Sequence, residues 1–129
     1  MIVQKIMYLL FFILLILIGC SSKISEEDLI GGNWMAIAGY KDGKPEGEPY
    51  CKDFLIGGLE FKNKEVVHGY KFDEEYKYQL EERKKGTATE IIRKDRYYSY
   101  YIDKINEDEI GLVGANGFQE DESCYFERQ

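Results

Sequence analysis

The chain contains 129 residues, with 24 acidic and 17 basic side chains and a net charge of −7. This length fits one domain, because domains commonly contain about 100–150 residues. The negative charge excludes a nucleic-acid partner, since binding to phosphates depends on neutralising Lys and Arg side chains. The charge is unevenly distributed: residues 20–129 contain all 24 acidic and 16 of the 17 basic side chains, so they carry −8.

The first 19 residues have the composition of an export signal. Lys5 supplies a positive charge, and residues 6–18 follow without a charged side chain. As a helix this run would rise about 20 Å, which is shorter than the ~30 Å hydrocarbon core of a bilayer. We therefore interpret residues 1–19 as a signal peptide with an apolar helix. An uncleaved anchor helix is the alternative.

The apolar run ends in Leu17-Ile18-Gly19-Cys20. This segment resembles the lipobox of bacterial lipoproteins, in which a small residue lets the peptidase approach and the cysteine thiol carries a diacylglycerol. The resemblance implies cleavage before Cys20 and an anchor of two or three acyl chains, which bind membranes far more firmly than one. The next two residues are serines rather than aspartate, which resembles sorting to the outer membrane, facing the periplasm.

Two cysteines remain if Cys20 carries lipid. Cys51 and Cys124 are expected to form a disulfide, because an exported domain meets an oxidising compartment. The bond would close a loop of about 70 residues and contribute about 4 kcal/mol in the chain-entropy model. Two buried free thiols are the alternative. A metal site is not expected, because His68 is the only histidine and no metal-ligand spacing is present.

The mature chain begins with a short connecting segment. Residues 20–30 are predicted to contain the lipidated cysteine, a polar tether and one helical turn, because Ser25 precedes three acidic residues. Residues 31–129 are predicted to form the folded domain. Its first strand is expected over residues 33–40, and a loop over 41–49, where Asp-Gly, Lys-Pro and Glu-Pro occur.

The rest of the domain consists of short alternating runs of apolar and polar residues. The stretch 72–85 fits a strand by the spacing of its tyrosines, and its Glu, Lys and Gln content also fits a helix; we favour the strand. A tight turn is predicted at Lys94-Asp95, and Asn116-Gly117 is the strongest hairpin signal. The other strands are predicted over 55–61, 65–72, 87–93, 96–103, 110–113 and 123–128.

This pattern predicts an all-β fold. About eight short strands spaced 8–12 residues apart are typical of a small antiparallel barrel or sandwich. We favour a small antiparallel up-and-down β-barrel of about eight strands.

The start of the first strand carries a second resemblance. Gly32-Asn33-Trp34 follows a predicted helical turn and is similar to the Gly-x-Trp signature of lipocalins. The resemblance implies that Trp34 plugs the closed end of the barrel and that Arg128 packs across it as a structural latch. A guanidinium over an indole contributes about 0.5–2 kcal/mol. An ordinary core role for Trp34 is the alternative.

The sequence carries no motif for catalysis. It lacks GxSxG, a phosphate-binding glycine loop and a basic patch. His68 is expected on a strand face in a structural or solvent-facing position. The acidic runs at 107–109 and 120–122 fall at predicted turns, and their spacing does not suit a calcium loop, so we expect them to be solvated. We therefore predict no enzyme activity, no catalytic residue, no cofactor and no metal.

Tyrosines are concentrated in one predicted strand, at positions 97, 98, 100 and 101. Consecutive tyrosines place rings on both faces of a sheet, so one face can join the core. The other face can form a cross-strand ladder or a contact surface, where tyrosine is enriched. We therefore consider a possible partner surface at Tyr97, Tyr98, Tyr100 and Tyr101, with a well-packed sheet as the alternative.

These features predict a lipid-anchored, non-enzymatic lipoprotein of the bacterial envelope. We expect a monomer that binds a protein partner in an inhibitor or immunity-type role. An acidic surface would speed association with a basic exported protein. Two alternatives stay open: a carrier of a small apolar ligand inside the barrel, and a structural component of the envelope.

Overall fold

The computed structural model describes residues 3–8, which are helical, and residues 23–129. Cys20 and the rest of the lipobox motif lie outside the described residues, as does most of the predicted signal peptide. Within the described part, every helix is too short or too polar to cross a bilayer.

Residues 23–129 fold as an all-β unit. A 3₁₀ helix at Glu26–Asp28 leads into the first strand, and the short α-helix α1 spans Asp53–Ile56. The strands are β1 (Trp34–Ala38), β2 (Tyr40–Lys41), β3 (Lys44–Pro45), β4 (Leu59–Phe61), β5 (Val66–Gly69), β6 (Glu74–Arg83), β7 (Gly86–Arg93), β8 (Arg96–Asn106), β9 (Glu109–Gly114) and β10 (Ser123–Arg128).

Eight of these strands close into an antiparallel barrel in the order β1-β10-β9-β8-β7-β6-β5-β4. From β4 to β10 each strand pairs with the next one in the chain, so the topology is up-and-down. The barrel closes where Trp34 of β1 pairs with Leu59 of β4. Strands β2 and β3 form a separate small hairpin. The predicted fold class is therefore confirmed.

The barrel interior is filled by side chains. Alternate residues point inward, as in β8, where Tyr98, Tyr100 and Ile102 join the core. At one end, which we call the Trp34 end, Leu29 and Trp34 are buried behind the 3₁₀ helix. At the opposite end, the α1 end, helix α1 inserts Phe54 and Leu55. The α1 end also includes the turns at 70–73 and 94–95 and the loop 115–122.

The strand predicted over 55–61 is wrong in its first half. Residues 53–56 form α1, and only Leu59–Phe61 is extended. The helix forms because Phe54 and Leu55 bury their side chains in the end of the barrel. Gly58, with φ of 108°, then reverses the chain into β4.

The next predicted strand, 65–72, is too long. Strand β5 ends at Gly69, and a turn over residues 70–73 follows, with Asp73 at φ of 51°. The stretch 72–85, which also fits a helix, contains β6. Strand pairing favours the strand over the helix, since β6 pairs with β5 on one side and with β7 on the other. The side chains of Tyr76 and Tyr78 are buried inside the barrel.

Two turn predictions also need correction. The loop predicted over 41–49 contains the β2–β3 hairpin, whose central residues Asp42 and Gly43 both have positive φ, as a type I′ turn requires. The hairpin predicted at Asn116-Gly117 is present, since β9 and β10 pair as neighbouring antiparallel strands, but its connection is longer than a two-residue turn. Strand β9 ends at Gly114, and the loop 115–122 follows, because the backbone of Gln119 packs against Gly114 and leaves no room for a Cβ there.

Candidate functional site

The Trp34 end is closed by one tryptophan and one arginine. The Trp34 side chain is fully buried, and its Nε1 donates a hydrogen bond to the carbonyl of Leu29 at 2.8 Å. The Arg128 guanidinium carbon lies 4.3 Å from the centre of the Trp34 ring. Gly32 permits this approach, because a Cβ there would lie 2.9 Å from Arg128 Cγ. The three residues of the expected latch are thus in contact.

Arg128 also binds the backbone around the tryptophan. Its Nη1 donates to the carbonyls of Ile30 at 3.1 Å and Gly31 at 2.9 Å. Its Nη2 donates to the carbonyls of Asp28 and Glu107. These carbonyls belong to the segment before β1 and to the β8–β9 turn, so Arg128 joins three parts of the chain. These contacts close the Trp34 end of the barrel.

A disulfide fixes the α1 end. Cys51 and Cys124 are bonded, so the expected pairing is confirmed. Cys51 lies just before α1, and Cys124 lies in β10 and is fully buried. The bond therefore holds Lys52 and α1 against the last strand of the barrel.

The tyrosines of β8 divide between the two faces of the sheet, and the predicted four-residue surface needs correction. Tyr100 is fully buried, and the ring centroids of Tyr98 and Phe54 lie 5.0 Å apart. Both tyrosines therefore belong to the interior side of the sheet. Tyr97 is 61% exposed on the outer face, where Tyr101 is half-buried. Strand alternation is the cause, because side chains two residues apart share a face.

Glu122 is buried, although the acidic run 120–122 was expected to be solvated. Glu122 is 5% exposed, and its Oε1 accepts a hydrogen bond from the Tyr100 hydroxyl at 2.6 Å. The Lys52 ammonium lies 3.3 Å from Oε2 and compensates the charge. Burial, and then the Glu122 carboxylate, raise the pKa of Tyr100, which therefore stays a donor. The three residues form a satisfied polar cluster under the surface of the α1 end.

A surface groove adjoins this cluster and shares Lys52 with it. Its volume is about 520 Å³, and three of its seven lining residues are aromatic. Three segments build it: the residue before α1, the β7–β8 turn with the start of β8, and the loop 115–122. The groove is lined by Lys52, Asp95, Arg96, Tyr97, Tyr98, Phe118 and Gln119.

A second groove of about 390 Å³ adjoins the first, and the two share Lys52 and Tyr98. Phe72 lines it from the β5–β6 turn. The Arg93 guanidinium lies 5.1 Å from the ring centres of both Phe54 and Phe72, and its Nε donates to Glu74 at 3.3 Å. This arginine therefore orders the aromatic side chains beside α1.

Exposed aromatic side chains are concentrated at the α1 end. Phe118, at the tip of the loop 115–122, is 94% exposed. Within residues 34–128, the other aromatic residues with more than 40% exposure also lie at this end. They are Tyr50, Tyr70, Phe72 and Tyr97. Because tyrosine and phenylalanine are enriched at protein interfaces, the α1 end is the candidate docking surface.

His68 and the carboxylates offer no metal centre. The His68 ring packs edge-on against Tyr70 with 4.8 Å between centroids, and its Nε2 lies 3.0 Å from Asp73. Within the described residues, no group of His, Cys, Asp and Glu side chains is arranged to hold a metal ion. The His68 contacts are those of a side chain that orders the β5–β6 turn.

No protein-family model, curated protein or solved structure matches this chain in comparisons with known proteins. The resemblances to bacterial lipoproteins and lipocalins therefore rest on the motifs at Cys20 and Trp34, and they stay predictions.

Proposed function

We propose that this chain is a lipid-anchored, non-enzymatic envelope lipoprotein that binds a protein partner through the α1 end of its barrel. The observation that carries the proposal is the concentration of exposed aromatic side chains at that end, with Phe118 94% exposed. Tyrosine and phenylalanine are enriched at protein interfaces, where they supply large contact areas. The inhibitor or immunity-type role expected from the sequence is part of this proposal.

The position of the N-terminal segment supports a docking surface at the α1 end, away from the lipid anchor. The 3₁₀ helix at Glu26–Asp28 leads into β1 at Trp34, so the chain enters the barrel at the Trp34 end. A lipid on Cys20 is therefore joined to the barrel at the end opposite the aromatic surface. Such an anchor leaves the α1 end free to meet a partner.

The filled interior supports a protein partner over a ligand carried inside the barrel. The core residues extend from Leu29 and Trp34 at one end to Phe54 and Leu55 at the other. The two grooves at the α1 end lie on the surface. Ligand pockets usually bury most of a small molecule within an enclosed space of about 300–1,000 Å³. A shallow aromatic surface is better suited to a protein.

The charge of the domain favours a basic partner. Residues 20–129 carry −8 as a whole, whereas the exposed carboxylates of Asp53 and Asp73 at the α1 end lie beside Lys71 and His68. An acidic surface speeds the encounter with a basic protein, and the effect weakens as salt is added.

Lipidation is tested by replacing the anchor cysteine. The full chain expressed in a bacterial host should fractionate with membranes and gain the mass of a lipid after loss of residues 1–19. The Cys20→Ser variant should lack the lipid mass and retain residues 1–19, whereas Ser22→Ala should be lipidated and cleaved like the wild type. A Cys20→Ser chain that is processed and membrane-bound like the wild type would refute the lipoprotein assignment.

Partner binding is tested by affinity purification from native envelopes with the full chain as bait. We expect a stoichiometric partner on the wild type that is lost on the double variant Tyr97→Ser/Phe118→Ser. The matched control is Ile105→Ser, because Ile105 is also exposed but lies near the Trp34 end. Equal capture by all three baits would contradict docking at the α1 end, and recovery of envelope scaffold alone would favour the structural role.

A further inference from the structure

A further groove, of about 670 Å³, lies at the Trp34 end of the barrel. Four segments border it: the residues before the 3₁₀ helix, the turn of the β2–β3 hairpin, the β6–β7 turn and the end of β8. These segments contribute Lys23, Ile24, Gly43, Gly86, Lys104 and Ile105. The groove therefore adjoins the part of the chain that leads to the expected anchor.

Exposed lysines surround this groove. Lys23 lines it, Lys41 and Lys44 flank the β2–β3 turn, and Lys84 and Lys85 form the β6–β7 turn before Gly86. We call these five lysines the lysine rim. Within residues 23–129 none of them forms an ion pair, whereas most of the other basic side chains do. The rim therefore presents charges that carboxylates of the described chain do not neutralise by direct contact.

The β2–β3 hairpin places two of these charges opposite each other. Lys41 pairs with Lys44 in the strand register. Like charges in this arrangement are destabilising. Lys84 and Lys85 are likewise neighbours in the β6–β7 turn. An anion bound at either turn would offset this repulsion.

Three carboxylates at the groove oppose such an anion. Glu82 accepts a hydrogen bond from the Thr87 hydroxyl at 3.2 Å, and Asp103 accepts one from the Tyr40 hydroxyl at 2.9 Å. Asp42 is exposed in the β2–β3 turn. The five lysines of the rim outnumber these three carboxylates, so the surroundings of the groove stay positive in a domain that carries −8.

The other acidic side chains of the Trp34 end border an adjoining groove. Asp28 lies 3.0 Å from the ammonium of Lys104, and Asp108 lies 3.7 Å from Arg128 Nε. Glu27 and Glu107 also line this groove. The Trp34 end is thus divided into a basic side at the lysine rim and an acidic side at the 3₁₀ helix and the β8–β9 turn.

The expected anchor brings the lysine rim to the bilayer. Cys20 precedes Lys23 by three residues, and three residues span at most about 11 Å. A lipid on Cys20 would therefore hold Lys23 and its groove close to the lipid headgroups. At that distance anionic lipids attract lysine side chains, because the attraction extends over about 8 Å at physiological salt.

We propose that the lysine rim binds the phosphate groups of anionic lipids around the anchor and fixes the orientation of the barrel on the membrane. A basic patch commonly strengthens the membrane binding of a lipid anchor. Because the domain as a whole is acidic, an anionic surface repels its other faces, and the α1 end points away from the bilayer. The inference rests on the proposed function, since it requires the lipid on Cys20.

The test uses ¹⁵N-labelled, lipidated full chain in nanodiscs that carry gadolinium on some headgroups. Gly43 and Gly86 report on the rim and Gly117 on the α1 end, and all three are open to solvent. With about 30% phosphatidylglycerol, the first two amide resonances should broaden at least about threefold more than the third, and about 0.5 M salt should reduce the difference. Equal broadening at both ends, or the same pattern in pure phosphatidylcholine, would overturn the proposal.

The matched variants change the charge at two places. Lys84→Glu/Lys85→Glu should reduce the excess broadening of Gly86 at least about twofold. Lys77→Glu/Lys94→Glu makes the same charge change on the outer face of β6 and in the β7–β8 turn, and it should leave the broadening unchanged. Unchanged resonances of core residues would exclude misfolding. Wild-type broadening in Lys84→Glu/Lys85→Glu would refute the role of the rim.

The outcomes separate this inference from the proposed function. A chain that carries the lipid mass but shows no excess broadening of Gly86 would reject the rim and leave the lipoprotein assignment standing. A full chain without the lipid would reject both. A protein captured by the wild type and lost on Lys84→Glu/Lys85→Glu, without broadening that depends on phosphatidylglycerol, would assign the rim to an acidic protein and overturn the lipid proposal.

Discussion

The Arg128 side chain connects segments that are about 100 residues apart in the chain. It lies over the Trp34 ring and donates to the carbonyls of Asp28, Ile30 and Glu107. Asp28 is itself held by the N–H of Ser25 at 2.9 Å, and this hydrogen bond, followed by the nearby Lys104, lowers the pKa of its carboxyl. The Arg128 guanidinium and the backbone carbonyls to which it donates therefore close the Trp34 end.

The first prediction concerns this arginine. Arg128→Lys should reduce the free energy of unfolding by about 2 kcal/mol, because a lysine keeps the charge but loses the planar stacking and most of the hydrogen bonds. Urea titration of the full chain in detergent, followed by the fluorescence of Trp34, measures the change. Arg96→Lys is the control and should change stability by less than about 0.5 kcal/mol. A similar small effect at Arg128 would contradict the latch.

The residues that the sequence could not single out are those whose role depends on distant neighbours. Trp34 stands in a motif, so its place at one end was predictable. Glu122 sits in an acidic run that looks solvated, and its burial depends on Tyr100 and Lys52, which are remote in sequence. Gln119 carries no local signal, because only the return of its loop onto Ser99 makes it part of a groove.

At the scale of elements, the disulfide and α1 act together. The bond from Cys51 to Cys124 joins the segment before α1 to β10, and α1 then plugs the barrel with Phe54 and Leu55. Four residues of helix cannot be stable alone, since short isolated helices are marginal in water. The helix therefore depends on the barrel that surrounds it.

The second prediction concerns this bond. The double variant Cys51→Ala/Cys124→Ala should lose about 4 kcal/mol of stability, because a cross-link over 73 residues restricts the unfolded chain. Urea titration of the full chain in detergent measures the loss, and reduction of the wild type with a phosphine should reproduce most of it. Reduction of the double variant is the control and should have no effect. A loss below about 1 kcal/mol would contradict a stabilising disulfide.

The strand positions could be predicted where apolar and polar residues alternate clearly. The predictions were wrong where tertiary packing overrides the local sequence pattern. Strands β6 to β8 alternate inward and outward residues, and their predicted positions agree with the structure within a few residues. The apolar run 55–61 was predicted as one strand, but its first two residues belong to α1, which packs into the end of the barrel. Asn116-Gly117 suggests a hairpin, but the contact of Gln119 with Gly114 requires a longer loop.

At the scale of the whole molecule, buried tyrosines make the stability of the fold depend on pH in the alkaline range. The Tyr40 hydroxyl donates to Asp103 at 2.9 Å on the outer face of the barrel, and burial, then Asp103, raise the pKa of Tyr40 to about 12. The Tyr78 hydroxyl donates to the carbonyl of Asn63 at 2.6 Å, and burial, then Glu26, raise its pKa to about 12.

The third prediction follows from these pKa values. An unfolded tyrosine releases its proton near pH 10, whereas the folded protein retains those of Tyr40 and Tyr78 until about pH 12. Their stabilising contribution is complete below about pH 10 and is lost as the pH rises to about 12. Urea titrations at pH 8, 10 and 11 should record this fall. Tyr40→Phe/Tyr78→Phe should flatten it relative to Tyr97→Phe, and an unchanged slope would contradict the assignment.

The central claim is that the α1 end meets a protein partner while the Trp34 end faces the anchor. Photo-crosslinking in intact cells tests it most directly, with p-benzoylphenylalanine placed in the full chain at Phe118 or at Ile105, both of which are exposed. The account predicts one discrete protein adduct from position 118 and none from position 105. An adduct from position 105 alone, or no adduct from position 118, would contradict it.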